Sequence, residues 1–199
     1  MASAPIRDHP RLSVELFRGF VEGRPEEGRW ELIDGLPVMM APPTKAHQRI
    51  ASNLERLLND ALEAPRSTLV AYREIGVNLA PCVENYDAEP DVVVVDGGGD
   101  NERYSDRFYL AAEVVSSSGR TYVESKREVY KLHEFCKYIL TIQQDRLHVR
   151  LGARAEAGWN EQLLNELEDI LILPDFGLRC RVFDLYRGTS LAPRHAGFR

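Results

Sequence analysis

The sequence predicts a mixed α/β fold, in which a central mixed β-sheet carries a helix on each side. Two segments repeat apolar residues at helical spacing, and several short apolar runs bounded by turn residues indicate strands buried on both faces. The elements follow one another as helix, hairpin, helix, strands, helix and strands. A chain of 199 residues is long enough for one domain with a substantial core.

The first elements have clear start and stop signals. Ser13 can cap a short helix with an apolar stripe. Asp34-Gly35 predicts the tight turn of a hairpin over residues 30–40, since both turn positions require positive φ. Thr44 can cap a second helix over residues 45 to about 63, and Pro65 ends it.

The remaining elements are mostly strands. We predict a third helix over 121–136, with Tyr130, Leu132 and other apolar residues inward and Lys126, Arg127 and Lys131 exposed. Residues 159–173 mix both periods, and 180–185 form a final short strand or helix start. The strands are expected at 68–79 with a kink near Gly76, 91–96, 109–115, 138–142 and 147–151. The domain should span residues 12–188, between a loose arm at 1–11 and a tail at 189–199.

Composition is ordinary for a soluble protein, with 44% hydrophobic and 28% charged residues. No apolar stretch approaches the roughly 20 residues of a membrane span, and the N-terminus has no signal core, so we expect a cytoplasmic protein without a membrane partner. The three cysteines have no zinc spacing and are expected as reduced thiols. A net charge of −6 argues against a dedicated nucleic-acid coat but permits an enzyme with a local basic rim.

Two acids interrupt the apolar strands at the centre of the sequence. Asp91 opens one run and Glu113 lies inside another, where a carboxylate is costly unless it is paired, protonated or bound to a cation. On neighbouring strands, the two would offer oxygen ligands that suit Mg²⁺ or Mn²⁺, and Lys126 on the next helix could reach the same site. The alternatives are a turn acid at position 91, a salt-bridged acid at 113 and a solvated lysine at 126.

Other candidates are weaker. Glu31 is an edge residue of the hairpin by default, and His47 is a half-buried helix histidine. The glycine-rich loop at 97–107 lacks the Lys-Ser/Thr pair and the helix start of a phosphate-binding loop. Ser116-Ser117-Ser118 has no histidine placed to activate a serine nucleophile.

An ordered series of short segments resembles a known family. The segments are Trp30-Glu31-Leu32-Ile33-Asp34-Gly35, Pro42-Pro43 followed by His47, Pro90-Asp91, Glu113-Val114-Val115-Ser116, Lys126 with Tyr130, and Leu173-Pro174-Asp175-Phe176-Gly177-Leu178. In this order, over roughly residues 12–188, they resemble the Uma2 family, a branch of the PD-(D/E)XK nuclease superfamily.

The resemblance implies a restriction-endonuclease-like core that hydrolyses DNA phosphodiester bonds with Mg²⁺ or Mn²⁺. It assigns the metal to Asp91, Glu113 and the Val114 carbonyl, and it places His47 as a substrate-binding residue near the cleft. It implies four catalytic residues, namely Glu31, Asp91, Glu113 and Lys126. A homodimer is expected, because many such nucleases need two active sites to cut both strands.

Two positions depart from the pattern. The superfamily's lysine lies two residues after the second acid, where this chain has Val115, and Lys126 on the following helix takes its place. The family pattern has an aspartate four positions before that lysine, where this chain has Tyr122. Three hypotheses therefore stay open: a metal-dependent endonuclease, a non-catalytic relative that binds nucleic acid or a protein, and an α/β module whose acids are merely paired with Arg or Lys.

Overall fold

The computed structural model describes residues 11–23, 28–63, 67–99, 101–116 and 120–193. Within these ranges the chain forms four α-helices, twelve strands and a 3₁₀ turn at Pro174–Phe176. The helices are α1 (Val14–Glu22), α2 (Lys45–Glu63), α3 (Arg120–Leu132) and α4 (Val182–Tyr186). The strands are β1 (Trp30–Ile33), β2 (Leu36–Met39), β3 (Leu69–Tyr72), β4 (Gly76–Val77), β5 (Val92–Asp96), β6 (Tyr104–Ser105), β7 (Phe108–Val115), β8 (Tyr138–Gln143), β9 (Val149–Ala155), β10 (Gly158–Leu164), β11 (Ile170–Leu173) and β12 (Leu178–Arg181).

A six-stranded sheet forms the centre of the domain, in the order β10-β9-β8-β7-β5-β3. The β7–β8 pair is parallel and the other pairs are antiparallel, so the predicted mixed sheet is confirmed. Helix α2 packs on one face and α3 on the other. The two faces have separate apolar clusters, which explains why the central strands are continuous apolar runs.

Strand β5 shows how this sheet divides its side chains. Val92 and Val94 pack with the cluster that includes α2, whereas Val93 and Val95 pack with the cluster that includes α3. All four valines are buried. Each contributes about 1.5–3 kcal/mol by leaving water. The same alternation places Asp91 on the face covered by α3, because Asp91 is two residues before Val93 and residues two apart lie on one face.

The N-terminal hairpin is held against the segment that precedes β5. Its turn has the positive φ values expected, 50° at Asp34 and 75° at Gly35. Leu32 and Asp87 exchange two backbone hydrogen bonds of 2.9 and 3.0 Å. This pairing carries β1 to the end of the central sheet where Asp91 lies.

Several predictions about the outer elements were wrong. The single strand predicted over 68–79 is two strands, β3 and β4, separated where Glu74 adopts a φ of 58°. Helix α3 ends at Leu132, whose side chain is 60% exposed rather than inward. Arg127 was expected in solvent and is fully buried. The undecided segment 159–173 forms most of β10 and all of β11.

The ends of the predicted domain are only partly described. The arm at 1–11 lies outside the described residues except for Arg11, whose guanidinium donates to Asp34 at 2.7 Å. In the predicted tail, Thr189 and Ala192 are buried and form backbone bridges, and residues 194–199 lie outside the described part. The cysteines are free thiols, as predicted. None of the described helices is long and apolar enough to span a membrane.

Candidate active site

Asp91 and Glu113 meet at one end of the central sheet. Strands β5 and β7 are antiparallel neighbours with Val92 opposite Ala112, so the same register continued by one residue sets Asp91 opposite Glu113. The Val114 N–H donates to Asp91 Oδ2 at 2.8 Å, which links the start of β5 to β7 directly. Both acids are at least 94% buried. The sequence prediction that they lie on neighbouring strands is confirmed.

Lys126 of α3 extends into the same cluster. Its Nζ lies 2.7 Å from Glu113 Oε1 and 3.0 Å from Glu31 Oε1. The exposed position predicted for Lys126 is therefore wrong, since only 2% of the side chain is exposed. Glu31 was expected on an exposed face or at an edge, and the expected exposure is wrong because that side chain is fully buried.

Arg127 holds α3 against the sheet next to Lys126. Its guanidinium donates to Thr141 Oγ1 on β8 at 2.9 Å and to both carboxylate oxygens of Glu161 on β10, at 2.8 and 3.0 Å. A charged hydrogen-bond network of this kind restrains the helix more than apolar contact alone, because its geometry is directional. The arrangement of Lys126 therefore depends on β8 and β10 as well as on β7.

Glu113 has neighbours that raise its pKa and one that lowers it. Burial raises its pKa to about 7, and the nearby carboxylates of Asp91 and Glu31 act in the same direction while Lys126 opposes them. The Tyr130 hydroxyl donates to Glu113 Oε1 at 2.7 Å. Burial and the same acids raise the pKa of Tyr130 well above its usual range, so this hydroxyl remains a donor.

Asp91 has cationic or protonatable neighbours on its more open side. His47 Nε2 lies 3.1 Å from Asp91 Oδ1, and an Arg29 amino nitrogen lies 3.7 Å from the same oxygen. Burial alone would raise the pKa of Asp91, but the hydrogen bond and charge of His47, the charge of Lys126 and the Val114 N–H together lower it. Asp91 is therefore the permanently ionised acid of the pair at neutral pH.

Arg29 was missed by the sequence analysis. Its guanidinium lies 3.1 Å from Glu89 Oε2 and 3.9 Å from Glu31 Oε1, and the Glu89 N–H donates to Glu31 at 3.0 Å. Arg29 is two positions before Glu31 in an extended segment. The period of two for a strand could have placed both side chains on one face.

The two residues that depart from the family pattern, Val115 and Tyr122, differ in burial. Val115 is buried at the end of β7. Tyr122 is 52% exposed. Glu124, the nearest acid in the helix, forms an ion pair with Arg150 at 2.9 Å instead of joining the cluster around Lys126.

The cluster offers few ligands for a metal ion. Among the described residues, no group of three or more His, Cys, Asp or Glu side chains has the arrangement of a metal site. Mg²⁺ needs fewer protein ligands, because it is commonly held by one or two carboxylates with waters and substrate phosphates completing the octahedron. Asp91 and Glu113 supply two carboxylates on adjacent strands, and Glu31 adds a third acid to a cluster in which Lys126 is the buried cation. The residues thus fit a magnesium ion that shares its coordination with substrate.

A family model described as "Uma2: Putative restriction endonuclease" matches residues 14–182. The chain belongs to the Uma2 family. The match includes every residue of the cluster, from Arg29 and Glu31 to Tyr130. The resemblance seen in the short sequence segments is therefore confirmed.

A solved structure shares the fold of this Uma2 protein. A crystal structure of a "putative nuclease belonging to DUF820" from Anabaena variabilis ATCC 29413 aligns with a TM-score of 0.69. The alignment covers 88% of this chain and 97% of the other, at 16% sequence identity, so it supports the nuclease-like fold. A search among curated proteins returned no match.

Proposed function

We propose that this protein is a metal-dependent endonuclease that hydrolyses phosphodiester bonds in DNA. The observation that carries the proposal is the convergence of Asp91, Glu113, Lys126 and Glu31 in one buried cluster at the end of the sheet. Membership in a family described as restriction endonucleases supports the same reaction class.

Asp91 and Glu113, with the Val114 carbonyl, would hold Mg²⁺ or Mn²⁺. When bound, such an ion lowers the pKa of its water and neutralises charge on the phosphate. Asp91 is already ionised at neutral pH, whereas Glu113 must lose its proton near pH 7 before it can bind a cation.

Lys126 acts as a charged hydrogen-bond donor in this proposal. Burial opposes the charge of Lys126, but Glu113 and Glu31 outweigh burial and raise its pKa above the usual value. An amine that stays protonated cannot accept a proton from water, so its role is to orient the attacking oxygen or stabilise charge on the phosphate. Glu31 and Tyr130 hold Lys126 and Glu113 in place through hydrogen bonds of 2.7–3.1 Å.

Substrate would approach from the side of His47 and Arg29. Their side chains are 15% and 25% exposed, whereas Lys126 and Glu31 have almost no exposed surface. Both could contact a phosphate oxygen once it displaces them from Asp91. We also propose a cytoplasmic location and a homodimer that presents two sites to a duplex, and sedimentation analysis with duplex DNA would test the dimer.

Nicking of supercoiled plasmid tests the proposal. The wild type should nick with Mg²⁺ or Mn²⁺ and stop with EDTA. Asp91→Asn and Lys126→Met should lower the rate by about 100-fold or more, as expected when one electrostatic stabiliser is removed. The matched controls are Asp96→Asn, at the exposed far end of β5, and Lys131→Met, one turn further along α3.

Two results would contradict the proposal. Equal nicking by wild type and the Asp91 variant would show that the activity comes from elsewhere. Plasmid binding without any metal-dependent nicking would favour the alternative, a non-catalytic nuclease-like module that binds nucleic acid or a protein partner.

A further inference from the structure

A polar cavity lies beside the candidate active site, at the same end of the sheet. Its volume is about 130 Å³. The first part of α3 and the ends of β7, β8 and β9 line it. The residues used below are Thr141, Gln143, Arg146, His148 and Arg150. We call this space the flanking cavity.

The strand registers relate the flanking cavity to the acids. Glu113 is paired with Thr141 on β8, and Thr141 is paired with Arg150 on β9. Because Asp91 is opposite Glu113, the residues at positions 91, 113, 141 and 150 form one row across β5, β7, β8 and β9. Neighbouring strands are about 4.8 Å apart, so Arg150 lies roughly 10 Å across the sheet from Glu113.

The flanking cavity is lined by two arginines, Arg146 and Arg150, and one acid, Glu124, so its charge is positive although the chain has a net charge of −6. Arg146 is exposed and forms no ion pair with any other described residue. Arg150 is paired with Glu124 and Glu161 at 2.9 and 3.0 Å, and His148 lies between these arginines in sequence. Arg146 is therefore a cation of the cavity whose charge is available to a phosphate.

Gln143 lines the cavity and has a buried amide oxygen without a hydrogen bond. The residue is 4% exposed, and its Oε1 is buried without a hydrogen-bond partner in the described part of the chain. A buried amide oxygen without a donor is destabilising, which makes it a feature to explain. The last torsion of a glutamine is soft, so either the oxygen or the NH₂ can turn toward a ligand. Amide groups of this kind recognise the polar edges of bases.

We propose that the flanking cavity binds the nucleotide next to the scissile phosphate, with its phosphate on Arg146 and a polar base edge on Gln143. The inference rests on the proposed nuclease function and adds to it a source of sequence preference beside the cut.

Binding and cleavage are tested separately. Binding of a labelled oligonucleotide is measured by fluorescence anisotropy with EDTA present in an Asp91→Asn background, in which cleavage is expected to be about 100-fold slower or more. Arg146→Gln should weaken binding and reduce the salt slope by about 1, as expected for one lost phosphate contact. Gln143→Leu should weaken binding about threefold to tenfold, the effect of one lost hydrogen bond. The controls are Arg179→Gln and Gln162→Leu, which alter exposed residues of the same types on β12 and β10.

Cleavage is then mapped by sequencing plasmid ends produced by otherwise wild-type protein. Gln143→Leu should change the base frequencies beside the cut, and Gln162→Leu should not. If the variants nick DNA with unchanged ends and unchanged binding, the proposed nucleotide site in the flanking cavity is contradicted but the proposed nuclease function is not. Binding that depends on Arg146 and Gln143 without any nicking would overturn the nuclease and retain the cavity as a nucleotide site.

Discussion

Replacing Lys126 with Met should destabilise the protein much more than an ordinary helix lysine does. Lys126 is the cation that contacts both Glu31 and Glu113, and all three side chains are buried. Removal of one partner from a buried ion pair costs about 3–5 kcal/mol, because the remaining charge is left uncompensated. For a protein of this size, 1 kcal/mol corresponds to about 2–4 °C, so the melting temperature should fall by about 6–20 °C.

The control for this change is Lys131→Met on the same helix. Lys131 is 18% exposed, and its Nζ lies 2.8 Å from Glu128 and 3.5 Å from Glu161. Both of these carboxylates keep contact with solvent, and pairs of this kind contribute about 0–1 kcal/mol. Differential scanning calorimetry at pH 8, where Glu113 is ionised, measures both variants. The double variant Lys126→Met/Glu113→Gln should recover part of the loss, since it removes a charge that Lys126 had balanced. Equal melting temperatures for the two single variants would refute the buried cluster.

Three further predictions concern the acid, its hydrogen bond and the core. The pKa of Glu113 is about 7 in the folded state and about 4.5 in the unfolded state. Its contribution to the free energy of unfolding is therefore fully present below pH 4.5 and is lost as the pH rises to 7. Between these pH values the wild type should lose up to about 3 kcal/mol relative to Glu113→Gln, as measured by urea unfolding. Tyr130→Phe removes a donor to Glu113 and should cost about 1.5–3 kcal/mol above pH 7, with a smaller loss at pH 5. Leu54→Ala in the α2 core should cost about 2–5 kcal/mol, whereas Leu132→Ala at an exposed position should be nearly neutral. Equal melting temperatures for these two variants would contradict the packing described for α2.

Local patterns were sufficient to predict most of the central fold. The hairpin turn at Asp34-Gly35, the extent of α2 and the buried strands around Asp91 and Glu113 all follow from short-range signals. Turn geometry and helix caps depend on neighbouring residues, and a strand that is covered on both faces has a continuous apolar run that is visible in the local sequence.

The burial of charged residues could not be predicted in the same way. Lys126 and Arg127 lie three and four positions after Val123, and four and three positions before Tyr130, which is the spacing of the inward stripe. Their residue types argued for solvent, because a charge is buried only when distant residues compensate it. Those partners, Glu31, Glu113 and Glu161, come from three other elements.

Anomalous diffraction from a crystal soaked in Mn²⁺ tests the central claim most directly. We expect one peak within coordination distance of carboxylate oxygens from both Asp91 and Glu113, with the ammonium group of Lys126 beside it and no peak in the Asp91→Asn variant. Manganese bound only elsewhere, with Lys126 still paired with Glu31 and Glu113, would contradict the account.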